Sequence, residues 1–177
     1  MTTVVVLAMH GAPANDFPSG ELAEWFALHG QMEHASGPER ERLEQRHAQL
    51  EARMRAWPRT AANDPFHASS LDLASYLSEA LGLPVEVGFN EFCAPSLHEV
   101  LEQVVAAGAE QVVVVTPMLT RGGEHAERDI PAAIQAVQEQ HPEVPIRYAW
   151  PFASEDVAGL LASRVAQVLD RMARSEQ

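Results

Sequence analysis

The sequence predicts an α/β fold: a doubly wound, four-stranded parallel sheet with helices on both faces, interrupted by an inserted helical hairpin. Two observations carry this. Four short apolar runs, at residues 4–9, 85–89, 112–116 and 146–150, alternate with longer segments whose apolar residues recur at helical spacing. The first and third runs are almost unbroken Val and Leu, the pattern of strands buried on both faces. Strand and helix in strict alternation imply right-handed crossovers between parallel strands.

The elements follow in order. After the first strand, residues 18–60 far exceed what a minimal crossover needs and read as a helical hairpin. Its second arm places Leu43, His47, Leu50, Met54 and Trp57 at alternating steps of four and three, a stripe of heptad type. Ser36 with Glu39 suggests a capping box at its start, and Trp57-Pro58 a stop at its end. Leu71, Leu73, Leu77 and Leu81 mark the next helix, with Ser69 or Ser70 as cap and Gly82 as stop. Leu97, Val100, Leu101, Val104 and Val105 lie between Pro95 and Gly108 and form another. Ile130, Ile134 and Val137 follow the third strand. Val157, Leu160, Leu161, Val165, Val168 and Leu169 give the last helix.

Composition excludes several chemistries. At 177 residues and 46% hydrophobic content the chain can build one compact domain with a substantial core. Every cation is arginine, so no Schiff-base or phosphate-loop lysine exists. A net charge of −13 argues against nucleic-acid binding. No apolar run approaches the roughly 20 residues of a membrane span, and the lone Cys93 together with the absence of a signal-peptide pattern leads us to expect a cytoplasmic protein. Half of the arginines (Arg40, Arg42, Arg46, Arg53, Arg55, Arg59) sit in the hairpin's second arm among Glu39, Glu41, Glu44 and Glu51. They form either a solvated face with salt-bridge spacing or a cationic overhang for an anionic ligand or a second subunit.

Open α/β sheets bind ligands at the carboxyl ends of their strands. Strand one ends in Met9-His10-Gly11-Ala12-Pro13, strand two in Phe89-Asn90-Glu91-Phe92, and strand three runs into the loop from Pro117 and Met118 through Arg121, Gly122 and Gly123 to His125. Two histidines and one glutamate thereby converge on one edge. Imidazole suits first-row divalent metals, and a carboxylate beside two imidazoles adds charge and can accept a proton. Gly122-Gly123 would let backbone approach a ligand, and a helix start near Asp129-Ile130-Pro131 would offer an N-terminus to an anion. His47 reads as a packed residue, His29, His34, His67, His98 and His141 as surface positions, and Cys93 as a small buried thiol. Met9 stands where a histidine phosphatase would have arginine, and there is no G-x-G-x-x-G, G-x-S-x-G or C-x-x-C.

These residues resemble the class II tetrapyrrole chelatases, the small sirohydrochlorin cobalt- and ferrochelatases. The resemblance rests on His10-Gly11, on Phe89-Asn90-Glu91 with the proline-led Pro95-Ser96-Leu97, and on the stretch from Val112 to Pro117 and from Gly122 to Pro131. It covers residues 3–16 and about 68–172, not the hairpin. Where many relatives continue His-Gly-Ser-Arg, this chain has Ala12-Pro13.

The resemblance implies a chelatase-like fold. It also implies His10 and His125 as metal ligands and Glu91 as the acidic residue that assists ligation or proton removal. Gly11, Met118, Arg121, Gly122, Gly123 and Arg128 become the candidate substrate contacts. The expected activity is insertion of Co²⁺ or Fe²⁺ into an anionic tetrapyrrole such as sirohydrochlorin, with the metal as substrate, no organic cofactor, and a homodimer as the working form. The alternative is a metal-binding carrier or assembly protein that keeps the ligands but inserts nothing.

Overall fold

The computed structural model describes residues 1–32 and 34–175. Four parallel strands, β1 (Thr3–Met9), β2 (Val85–Phe89), β3 (Gln111–Val115) and β4 (Ile146–Tyr148), form one sheet in the order β2-β1-β3-β4. The chain runs outward from β1 to β2 and returns across β1 to reach β3, so the strand order reverses between β1 and β3, where ligands bind in such sheets.

Alternate residues of β1 serve two cores. Val4, Val6 and Ala8 meet α4 (Leu97–Ala106) and α5 (Ile130–Gln140) on one face. Leu7 and Met9 meet the hairpin, α1 (Ser19–Met32) and α2 (Gly37–Arg55), and α3 (Pro65–Leu81) on the other. The absence of polar alternation in β1 is therefore explained by cover on both sides.

Helix starts differ from the sequence expectation in three places. Ser36 is the cap residue of α2 but its side chain makes no capping bond, so the Ser36–Glu39 box does not form. The α3 helix begins at Pro65 and not near residue 70, capped by the Asp64 carboxylate, which accepts the His67 amide at 2.8 Å. Ser70 instead donates its hydroxyl to the Phe66 carbonyl inside the helix. Third, the helical segment after β3 opens with a π turn over His125–Asp129 that runs straight into α5. Amides near Ile130 are thus internal to a helix, and no anion-receiving terminus exists at Asp129-Ile130-Pro131. A full capping box does form at α4, where Ser96 and Glu99 cap each other.

The apolar stripe of α2 is used within its own chain. Leu50 and Met54 are buried, with Leu43 and Trp57 packed beside them. The last helix, α6 (Ser154–Ser175), behaves differently, because none of its 22 residues is buried. Its apolar residues are specified by helical periodicity, but the chain supplies no surface to cover them.

Candidate metal centre

Strand register sets the site. Met9 of β1 lies opposite Phe89 of β2, so the residues that follow each strand emerge side by side. Asn90 donates its amide to the Met9 carbonyl and Glu91 donates to the His10 carbonyl, both at 2.9 Å, extending the pairing beyond the sheet. Gly11 makes this approach possible. It adopts φ +98°, and a Cβ there would lie 1.9 Å from the Glu91 carbonyl oxygen.

His125 arrives from the far side of the reversal point, at the first position of the π turn. Its Nε2 faces His10 Nε2 at 3.1 Å, and Glu91 Oε2 lies 3.9 Å from His125 Nε2. One ligand atom from each of His10, Glu91 and His125 falls within 4.8 Å of the others, and this is the metal-competent trio found among the described residues. A concavity of about 450 Å³ between α3 and the β2 edge holds none of the three.

The second nitrogen of each ring decides what the first can do. His10 Nδ1 is 2.9 Å from the Gly11 carbonyl oxygen, an acceptor, so it carries the proton as donor. His125 Nδ1 is 2.7 Å from the Asp129 carboxylate, four residues on in the same turn, and is the donor there too. The two Nε2 atoms are then the nitrogens that face each other, 3.1 Å apart. Such a pair repels unless a proton or a metal ion lies between. A metal–nitrogen bond of about 2.1 Å with an angle between square and tetrahedral spaces two nitrogens roughly 3.0–3.4 Å apart. The observed separation fits.

The remaining surroundings are aromatic on one side and open on the other. Phe92 stacks 6.4 Å from the His10 ring, and Trp25 of α1 packs edge-on to Phe92 at 5.2 Å. His10 itself is exposed, and His125 and Glu91 are half-buried, so a flat ligand could reach the trio directly from solvent.

The six candidate substrate positions divide. Gly11 is adjacent to the trio. Arg121 is exposed, with its guanidinium 5.6 Å above the Trp150 ring. It lines a cleft of about 360 Å³ with Leu119, Thr120, Phe152, Ser154 and Val157. Met118 packs into the core beside β1 and β3, and its carbonyl accepts the Trp150 indole N–H at 3.1 Å. Arg128 is exposed but already paired with Glu124 and Asp129. Gly122 and Gly123 are exposed with no heavy atom near their Cβ positions. Gly122 is needed for its φ of +89° and not for a close approach.

The hairpin arginines are largely committed as well. Arg40 pairs with Glu44, Arg46 with Glu24 and Arg53 with Glu21. Asp129 was not singled out as a partner of His125 from sequence, although the i, i+4 spacing in His125-Ala126-Glu127-Arg128-Asp129 carried the signal.

A cluster of two histidines and one carboxylate thus lies at the strand ends of a small open parallel α/β sheet. The CbiX family model matches residues 63–168, and the chain belongs to that family. It is 36% identical over 105 residues to a sirohydrochlorin cobaltochelatase of Saccharolobus islandicus, covering 55% of this chain and 80% of that protein. It is 34% identical over 87 residues to a sirohydrochlorin ferrochelatase of Priestia megaterium, covering 48% of this chain and 32% of that protein. Against this longer relative the chain spans about a third of the length. The fold is also that of a solved CbiX protein of Marinobacter aquaeolei, at 20% identity and a TM-score of 0.56 over the whole of both chains.

Proposed function

We propose that this chain inserts a divalent metal, Co²⁺ or Fe²⁺, into sirohydrochlorin or a closely related anionic tetrapyrrole, releasing two pyrrole protons. The observation that carries this is the pair of Nε2 atoms 3.1 Å apart with Glu91 beside them. Relatives named for sirohydrochlorin cobalt and iron chelation support the same substrate class.

Each group has a task. His10 and His125 hold the metal on the face that meets the macrocycle. Asp129 and the Gly11 carbonyl keep both rings in the ligating tautomer. Glu91, half-exposed and within reach of both rings, completes the ligand set and takes up one proton as the metal passes to the pyrrole nitrogens, and an imidazole freed of the metal takes up the other. An open mouth suits this work, because the ligands must surrender the metal to a ring arriving from solvent. Arg121, beside its cleft, is the cation offered to a substrate carboxylate, with Gly11, Gly122, Gly123, Met118 and Arg128 as the other candidate contacts.

No helix of the described residues is long and apolar enough to cross a membrane. The buried free thiol of Cys93 accords with a cytoplasmic setting. A second copy of the chain completes the working form, and the uncovered stripe of α6 is the surface that supports pairing.

The deciding experiment mixes purified protein, Co²⁺ and sirohydrochlorin and follows the absorbance of the metallated product. Insertion faster than in the protein-free mixture, and lost in both His10→Ala and His125→Ala, is the expected outcome. Tight Co²⁺ binding with insertion no faster than without protein would identify a carrier and end this reading.

A further inference from the structure

Two hairpin arginines reach beyond the side-chain pairs that their neighbours make. Arg55 and Arg59 turn inward, toward the backbone of the loop that carries Glu91. Arg55 donates from Nη2 to the Asn90 carbonyl and from Nη1 to the Cys93 carbonyl, each at 2.8 Å, while its Nε donates to Glu51 at 2.9 Å. Arg59 donates from Nη2 to the Phe92 carbonyl at 2.6 Å and to the Met54 carbonyl at 2.9 Å. Its Nη1 reaches the Ala12 carbonyl at 2.7 Å and pairs with buried Asp64.

Of the four residues 90–93, three therefore have their carbonyls held by a guanidinium. The fourth, Glu91, has its carbonyl fixed by the Cys93 amide at 2.6 Å and pressed against Gly11. Beyond the Asn90 and Glu91 amide bonds to the end of β1, the loop has no helix or strand hydrogen bonding to hold it, and Phe92 sits at φ 60°, a conformation a bulky side chain adopts only when its surroundings impose it. The Ala12 contact ties the same clamp to the segment two residues beyond His10.

We propose that Arg55 and Arg59 are positioning residues for Glu91, so that the inserted hairpin is the buttress of the metal site's carboxylate. The hairpin lies wholly outside the matched residues 63–168, and its role is to hold the geometry of the chemical step. It does so through the rigid, planar fork of arginine, which can bond two carbonyls at once where a lysine ammonium offers a single point charge. The assignment rests on Glu91 acting at the metal as described above.

Arg55 is the better residue to test, since removing Arg59 strands the buried Asp64. Cobalt insertion into sirohydrochlorin is measured for Arg55→Gln, Arg55→Lys, Glu91→Gln and the Arg55→Gln/Glu91→Gln double variant, with thermal melts alongside. A small displacement of a reacting group costs up to about a hundredfold in rate. Arg55→Gln is therefore expected to lower kcat by about tenfold to a hundredfold with KM for the tetrapyrrole changed by no more than about twofold. Arg55→Lys does not restore the rate, and the double variant is no slower than Glu91→Gln alone.

Wild-type kcat in Arg55→Gln, full rescue by lysine, or losses that multiply in the double variant would each overturn the proposal while leaving Glu91 at the site. Wild-type turnover in Glu91→Gln would instead remove Glu91 from the chemistry and the positioning role with it. Should Arg55→Gln not fold, Glu51→Gln loosens the same guanidinium from its outer side. A fall in kcat then supports the clamp, and an unchanged kcat overturns it.

Discussion

At the scale of single residues, the chemistry depends on which nitrogen of each histidine is free. Asp129 fixes that for His125 through a 2.7 Å contact to Nδ1. Asp129→Ala is expected to weaken Co²⁺ binding about tenfold to a hundredfold, the usual loss when a partner that orients a metal-binding histidine is removed. Isothermal titration checks it, and unchanged affinity would show that the tautomer is held by something else. His10, Glu91 and His125 were legible in the sequence because each follows a recognisable strand. Asp129 was harder to see, because its role depends on the π turn that brings it under His125, and a π turn has no simple sequence signature. A second histidine gives a pH test. His47 is stacked on Trp25 at 4.7 Å, and its proton affinity is lowered from the ordinary 6.5, first by burial and further by nearby His29, against the opposing pull of Glu51 and Glu91. Burial there disfavours the charged imidazole. The unfolded chain binds this proton more readily than the native one, so the His47 contribution is complete above about pH 6.5 and is lost as pH falls below it. His47→Phe, which keeps a stacked ring, should flatten the decline in urea midpoint between pH 7.5 and 5.5, and an identical slope in both proteins would refute this.

At the scale of elements, the hairpin is joined to the start of α3 by a buried ion pair, and to the sheet by apolar packing. Arg59 and Asp64 have side chains 7% and 1% exposed, and the Cys93 thiol, its proton held more tightly because of burial, lies 3.7 Å from the Asp64 carboxylate. Removing one partner leaves a charge without compensation where water cannot reach it. Asp64→Ala is expected to cost about 3–5 kcal/mol, including the loss of the α3 cap, measurable as a fall in denaturation midpoint. An Arg59→Met/Asp64→Leu double variant, which removes both charges, should be less harmed. If the two variants lose equal stability, charge burial is not the cause. The hairpin itself was readable from the length of the segment and the heptad spacing of Leu43, His47, Leu50, Met54 and Trp57. What those residues pack against was not, since a stripe of this kind serves an intermolecular seam as well as an internal core. The inward turn of Arg55 and Arg59 was equally hidden, because their carbonyl partners lie more than 30 residues away in a loop with no side-chain signature for receiving them.

At the scale of the whole molecule, one surface is out of keeping with a protein that works alone. Leu160, Leu161, Val165, Val168, Leu169 and Met172 on α6 are all between 40 and 60% exposed and lie along one side of a 22-residue helix. Leu161, Val165, Val168 and Met172 are spaced by four, three and four residues, the repeat of a coiled-coil seam, with Leu160 and Leu169 flanking it. A contiguous apolar patch on this scale is unusual on a monomer. The hairpin stripe, by contrast, is covered by its own chain and has little left to offer a partner. Pairing is therefore expected through α6, with twofold symmetry, in which each copy's helix covers the other's. Light scattering coupled to size exclusion should give a dimer for the intact chain at micromolar concentration, and a monomer for Leu161→Glu/Val168→Glu, with the melting of the sheet domain little changed, since neither side chain is buried in it. A monomeric wild-type chain would refute pairing, and a dimer that survives both glutamates would place the contact on another face.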